Sequence, residues 1–456
     1  MKKLYAIAMT IVLSAGMIGC GNTKAVTGNT SSAAVQTSGK ETEASGKTVE
    51  ITMPTYLAGE NEGAKFFLPE IERFNKKYEG KYKIDIEEVP QASYADKIKQ
   101  LAQQNKLPVI VHAPGSGGID KQWFDSVIVA NNMAYDLTDF ANKHPETKAN
   151  WIDKSVTYCT TKDGKLVVKP SVVIKPVGLY YNTTMYQPTQ NVQDMTMDEF
   201  VKSLGSNKIA FQTADNGWTT GLLLSALIAD QPKGNDYLAQ YADDKLYDYT
   251  DSRIVNAVAE LQKIMQSNAS ANSIGAAYAD AANSFMSKGA GIICNGSWMA
   301  TDFTDASKDK WGNGFQGSDV KASFYPGNVA LANENMYGEF WISNSATTEE
   351  KQLAEAFFEF RDSQDEVEQL ILAEGGIAPK LTYSDSFLQK QKESPVLYEL
   401  SQSITDQTVY AENILNVMPS SVADTEFGKL LPKLADGTLT ADQFCTELTQ
   451  KAQAAK

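Results

Sequence analysis

Three observations predict an α/β fold with two lobes. Strand, helix and strand patterns alternate from Val49 onward, as a mainly parallel sheet with helical connections requires. Ala290 to Cys294 is an apolar run that stops at Asn295-Gly296-Ser297 and presents Trp298; such a run marks a buried strand whose carboxyl end opens on a crevice. About 409 residues lie between Thr48 and Lys456, too many for one ordinary core and enough for two.

The chain begins with Lys2 and Lys3, an apolar run from Leu4 to Leu13, and Ser14-Ala-Gly-Met-Ile-Gly-Cys20. A charged start and a short apolar run ending in small residues read as a signal peptide over 1–19, too short for a membrane span. With Cys20 directly after Gly19, the segment resembles a bacterial lipoprotein signal. The resemblance implies cleavage before Cys20, lipid on its thiol and tethering to the outer face of a membrane; a secreted protein cleaved nearby is the alternative. Residues 20–47 are rich in Gly, Ser, Thr, Asn, Ala and Lys and hold no aromatic residue. They cannot bury enough apolar surface to offset their ordering entropy, so a flexible tether is expected, reaching roughly 30 Å.

Composition excludes several classes. The apolar fraction is 42%, and the formal net charge of −15 becomes −17 once Lys2 and Lys3 are removed. Nucleic acid calls for a basic stripe, which is not the pattern here. With Cys20 lipidated, Cys159, Cys294 and Cys445 are an odd, widely spaced trio that supplies neither a disulfide framework nor metal-ligand spacing. His112 and His144 are the only histidines, so neither a His-based metal site nor a cofactor is expected.

Val49 to Met53 alternates like a strand, and Pro54 to Gly63 is a loop after it. Lys65 to Tyr78 carries Phe66, Phe67, Ile71 and Phe74 at helical spacing, and Tyr82 to Val89 alternates again. A second unit follows, with a helix over Tyr94 to Asn105 and a buried strand over Leu107 to Ala113 that ends at Pro114-Gly-Ser-Gly-Gly118. That loop lacks the Gly-Lys-Ser/Thr ending of a phosphate loop and reads as a turn at a crevice edge. Lys208 to Phe211 is a strand, and an apolar helix begins near Gly221. Glu349 to Ser363, Val396 to Ile404 and Ala441 to Ala452 are further helices, and nothing in them suggests chemistry.

Several motifs occur in order: Lys175-Pro-Val-Gly-Leu-Tyr-Tyr-Asn182, Thr196-Met-Asp-Glu-Phe200, Phe285-Met-Ser-Lys-Gly-Ala-Gly-Ile-Ile-Cys-Asn-Gly-Ser-Trp298, Tyr325-Pro-Gly327, Gly338-Glu-Phe-Trp-Ile-Ser343 and Gly375-Gly-Ile-Ala-Pro379. Behind a lipoprotein-like signal, they resemble the extracellular solute-binding proteins of family 1, the carbohydrate receptors of ABC importers and relatives of maltose-binding protein. Met197 departs from the tryptophan usual there. Met418 to Phe427 holds no tryptophan to match the one that maltose-binding relatives bring to the sugar, which puts a maltose-like ligand in doubt.

The resemblance implies a periplasmic-binding-protein-like fold of type II, two α/β lobes joined by three crossings. These are placed near Ile174 to Gly178, Ala322 to Pro326 and Gly376 to Lys380, giving a first lobe of 48–175 with 327–377 and a second of 178–325 with 379–456. It also implies a monomeric, non-enzymatic receptor that passes its ligand to the permease subunits of an ABC importer. A sugar offers C–H faces to rings and hydroxyls to fork-shaped polar groups, so a carbohydrate cleft needs Trp and Tyr plates beside Asp, Glu and Asn. Hinge closure, the motion of periplasmic binding proteins, follows when both lobes touch the ligand.

Trp298 is the leading contact, carried by its motif; the competing reading makes it a cap on the core. Trp218 sits in the loop after the Lys208 strand, either as a second plate or as a core residue of the next helix. Asp215 and Asn216 precede it as hydroxyl partners or helix caps. Of Glu339 and Trp341 in the Gly338 turn, one is expected to face the cleft. Tyr56, Glu60 and Asn61 in the first loop, Ser116 and Asp120 in the third, and Tyr181 near the first crossing complete the set. A surface lipoprotein that binds or hydrolyses glycan is the alternative function. A glycosidase needs two carboxylates a few ångströms apart, and 56 acidic residues make a chance pair uninformative. No Gly-x-Ser-x-Gly elbow is present.

Overall fold

Strands β1 (Val49–Thr55), β2 (Tyr82–Glu88), β3 (Ile110–His112), β4 (Val177–Asn182), β5 (Ile209–Ala210), β6 (Ile292–Gly296), β7 (Val320–Ser323), β8 (Val329–Leu331), β9 (Phe340–Ile342) and β10 (Val409–Ala411) form the framework. The computed structural model describes residues 47–456 other than 60, 62, 116, 243, 333–335, 394 and 406. Cys20, the signal segment, the tether up to residue 46, Glu60 and Ser116 lie outside the described residues.

The first core grows from the two strand–helix units. β1 and β2 pair in parallel from Val49↔Tyr82 to Thr55↔Glu88. The helix Ala64–Lys77 between them buries Phe66, Phe67, Ile71 and Phe74, the residues whose spacing predicts it. β3 pairs antiparallel with β9, Val111 opposite Trp341, although more than two hundred residues separate them in the chain. Helices cover both faces of β9: Phe340 meets the rings of Phe67, Phe357 and Phe358, while Trp341 meets Phe124.

Apart from these two-stranded pairs, a six-stranded sheet runs in the order β10-β8-β4-β6-β5, with β7 also paired to β4. Because side chains alternate along a strand, successive residues feed opposite faces. Val177, Leu179 and Tyr181 of β4, with Ile292 and Cys294 of β6, join one core, whereas Tyr180 and Ile293 join another with Phe285, Phe303 and Phe315. The near-continuous apolar run that predicts a buried strand here follows directly from this double covering. The helix Trp218–Asp230 is buried throughout Thr219–Ile228, which explains its all-round apolar sequence. Among the described residues no helix is long and apolar enough to cross a membrane.

Val173 belongs to the first core and Val177 to the second, and Ile174 between them exchanges both backbone hydrogen bonds with Ile377, each 2.9 Å. Two segments depart from the predicted boundaries. β8 pairs with β10 and, at Val177↔Leu331, with β4, so 329–331 belongs to the six-stranded sheet and not to the first lobe's 327–377. Phe387, predicted in the second lobe, packs in the first core. Short strands of either sheet look alike in sequence, and pairing alone distinguishes them.

Candidate ligand cleft

β6 ends at Gly296, and the chain turns into a short 3-10 helix over Ser297–Phe303. That turn sets the direction of Trp298. Its ring folds back over Gly296, where an added Cβ would lie 2.2–2.4 Å from three ring carbons. Trp298 stays partly exposed, stands 5.4 Å from the ring of Trp218 at 34°, and donates its indole N–H to Tyr278 Oη at 3.3 Å. Tyr278 in turn donates to Asn295 Oδ1 at 3.2 Å. Asn295 is fully buried, and its amide nitrogen has no partner among the described residues. Two tilted indoles with a phenol hydroxyl between them offer apolar faces next to hydrogen-bonding oxygens.

Trp218 is the first residue of its helix, three residues earlier than predicted, and its backbone N–H donates to Asn216 Oδ1 at 3.1 Å. Asn216 also accepts from Gln212 Nε2 at 3.1 Å, so it serves the helix start. Asp215 is exposed with a left-handed backbone, φ 53°, beside that start.

The turn lies against a seam between the first core and the other two. Ser297 Oγ donates to the carbonyl of Glu374, 2.7 Å, at the end of the helix Gln364–Glu374, whose Val367 and Ile371 belong to the first core. Lys65, next to Phe66 of the first core, pairs with Asp302 at 2.9 Å, and Asp302 also holds Lys310 at 2.8 Å. Asp120 caps the turn to Trp123 and lies 3.5 Å from Lys245. An added Cβ on Gly118 would lie 3.5 Å from Asp424. Burial pushes the Asp424 carboxyl up, against the pull of Lys245 and Lys99.

On the first-core side, Tyr56 packs on His112 at 4.6 Å and on Tyr94 at 5.5 Å, and it abuts Gly117. His112 is held by Thr55 Oγ1 at 2.8 Å, and burial lowers its ring to about 3, so it stays neutral at ordinary pH. Asn61 spends its carbonyl oxygen on Gly63 N–H, 2.8 Å, closing the turn into the first helix.

Three predicted contacts move. Trp341 is fully buried and donates its indole N–H to the His112 carbonyl at 3.1 Å. Residues two apart on a strand do share a face, but helices cover both faces of β9, so neither face opens on a cleft. Glu339, a third exposed, enters a chain of charges: it pairs with Arg361 and, at 3.3 Å, with Lys175, which also holds Glu374 at 2.6 Å. Burial opposes the charge on Glu339, yet Arg361 and Lys175 outweigh it and hold the carboxyl well below the usual range. Tyr181 is buried in the second core edge-on to Tyr186, and burial raises its hydroxyl to about 12. All three are accounted for by structure.

Sequence reasoning misses Tyr278, Asp302, Lys245 and Asp424. Each belongs to a segment without a motif; only Asp424 lies in a stretch already singled out, Met418 to Phe427.

Two α/β bodies thus meet along a polar seam, with the partly exposed rings of Trp298 and Trp218 at a strand end beside it. Residues 71–393 match the model of the bacterial extracellular solute-binding proteins, and the chain belongs to that family. No curated protein sequence matches it. Among solved structures it resembles a chitin oligosaccharide binding protein, at 16% identity and a TM-score of 0.71 over 90% of this chain and 99% of that one. It also resembles RafE in complex with raffinose, at 18% identity and a TM-score of 0.64 over 90% and 100%. A family 1 extracellular solute-binding protein from Bifidobacterium longum subsp. infantis shares 16% identity and a TM-score of 0.57 over 90% and 100%. These likenesses establish the two-lobe fold.

Proposed function

We propose that this protein binds a sugar or oligosaccharide between its lobes and delivers it to the permease of an ABC importer. It is further proposed to be held at the outer face of the cell membrane by lipid on Cys20. The observation that carries the sugar reading is the Trp298–Trp218–Tyr278 cluster at the end of β6. A neutral polyol matches tilted ring faces flanked by hydroxyl and amide groups. A charged solute calls for a cluster of opposite charge, whereas Lys65 and Lys245 near the seam are already paired with Asp302 and Asp120. Tyr56 and Asp120 are the proposed contacts from the opposite side, with Asp215 and Asn216 at the rim. Ligand touching both sides favours the closed form by its differential affinity for that form.

Titration calorimetry and melting curves across a glycan library test this. The expected result is a raised melting temperature with a subset of oligosaccharides, recovered intact afterwards. A library without a single hit overturns the sugar reading, and released product turns it into the hydrolytic alternative. For the anchor, metabolic labelling with a fatty acid is expected to mark the wild-type chain and not Cys20→Ser; equal labelling of both would remove Cys20 from the account.

A further inference from the structure

We infer that the first lobe carries a divalent-metal site outside the ligand cleft, formed by His144, Glu146 and Glu359. His144 ends one short helix, Thr138–Lys143, and precedes the next, Pro145–Ala149; Glu146 lies in that second helix, and Glu359 lies on the distant helix Thr348–Arg361. His144 Nδ1 stands 3.7 Å from Glu146 Oε1 and 3.7 Å from Glu359 Oε2, and the three ligand atoms all lie within 4.8 Å of one another.

Those distances are too long for hydrogen bonds, whose N···O separation centres near ~2.9 Å. They suit the edges of a coordination shell: bonds of ~2.0–2.2 Å in a tetrahedron place neighbouring ligand atoms roughly 3.4 Å apart. The imidazole is not loose. Its ring packs on Phe140 with centroids 4.7 Å apart, and the His144 backbone N–H donates to the Phe140 carbonyl at 3.0 Å. Glu146 and Glu359 also line one hollow of about 240 Å³, together with Lys77, Tyr78 and Asn150, so water reaches both carboxylates. Lys77 does not fill the site by ion pairing; its ammonium lies over the rings of Tyr78 and Phe360, 5.7 and 5.1 Å from their centroids.

One imidazole nitrogen and two carboxylates select a borderline divalent ion such as Zn²⁺ over Mg²⁺, which demands near-octahedral oxygen ligation. Bound metal would tie the segment around His144 to the helix carrying Glu359, two parts of the first core far apart in sequence. Its role is to stiffen that lobe, since an ion that binds only the folded state stabilises it by mass action.

The test uses the full chain, dialysed against EDTA and titrated with ZnCl₂ in calorimetry and thermal melts. The expected result is one equivalent of zinc bound with a rise in melting temperature, lost or weakened at least tenfold in His144→Ala and in Glu359→Gln. Both residues are surface-accessible, and unchanged circular dichroism and metal-free melting temperature would show that both variants fold. Asp198→Asn, exposed on the helix Met197–Leu204 whose Phe200 belongs to the second core, serves as the control for general attraction of cations to an acidic protein. No zinc-dependent shift in the wild type, or a shift that survives in both variants, overturns the site. Oligosaccharide binding is expected to be the same with and without zinc.

Discussion

Trp298 and Trp341 are chemically identical and structurally opposite. Trp298 lies over Gly296 beside Trp218 and stays partly exposed, while Trp341 is closed in between β3 and Phe124. Their alanine variants should therefore separate binding from stability. Trp298→Ala is expected to weaken oligosaccharide binding by about tenfold or more, ~1.4 kcal/mol, with little change in melting temperature. Trp341→Ala leaves a large cavity and should cost about 3–5 kcal/mol of stability. Calorimetry paired with denaturant unfolding reads both quantities, and the opposite assignment of effects would reverse the roles given to the two rings. Gly296→Ala extends the same reasoning. The backbone there, φ −83°, accepts any residue, so the added methyl acts only by displacing the Trp298 ring. It should lower sugar affinity and shift the tryptophan emission while leaving the fold intact; unaltered fluorescence and affinity would mean that the ring does not rest where it is described.

At the scale of elements, the helix Ala64–Lys77 and the helix Thr348–Arg361 meet through charge as well as through rings. Arg361 is buried between Glu70 and Glu339, and Glu70 Oε1 has no partner among the described residues. Two carboxylates facing one guanidinium cannot both be charged cheaply. Burial pushes Glu70 up to about 8, only partly offset by Arg361, while Glu339 keeps the charge. The consequence for pH has a definite sign. Between about 4.5 and 8 the folded chain holds a proton on Glu70 that the unfolded chain has released, so this group's contribution to stability falls as pH rises through that window. Glu70→Gln, uncharged at every pH, should flatten that decline in urea titrations at pH 5, 6.5 and 8. Parallel curves for variant and wild type would show Glu70 ionised throughout.

Across the seam, the ion pairs among the described residues include Lys65 with Asp302 and Lys245 with Asp120. Lys65 is more than a third exposed on its side chain, so its pair is screened and contributes about 0.2–1 kcal/mol, while Lys245 and Asp120 are less exposed but 3.5 Å apart. Their joint effect falls on the closing equilibrium more than on folding. Lys65→Met with Lys245→Met is expected to reduce ligand affinity by up to about tenfold at low salt, and by less in 0.5 M NaCl. Small-angle scattering should show the double variant more expanded without ligand. Identical profiles and affinities would leave the seam without a part in closure.

Local signals account for much of this architecture. Phe66, Phe67, Ile71 and Phe74 of the Ala64–Lys77 helix, the alternation of β1 and β2 and the apolar run of β6 can each be read without knowing what they pack against, because the hydrophobic period is a property of a single segment. The order of the motifs likewise points to the family, and residues 71–393 match it. Several site residues are not legible in that way. Glu339, Trp341 and Tyr181 carry the residue types a sugar cleft uses, yet each is claimed by a partner remote in sequence: Arg361, the His112 carbonyl and the Tyr186 ring. Tyr278, Asp302 and Lys245 sit in stretches with no periodic or motif signal, and only their neighbours in space give them a place.

By itself, then, the sequence determined the α/β class, the position of β1, β2, β3, β5 and β6 and of six helices, the family, and Trp298 as the aromatic at the end of a buried strand. Only the tertiary structure decided that β8 joins the six-stranded sheet, that Trp341 is core while Trp218 stands beside Trp298, and which charges span the seam. The physical reason is one of range: hydrophobic period and turn chemistry act between near neighbours along the chain, whereas strand partners, the covering of a sheet's second face and the pairing of charges depend on residues that folding alone brings together.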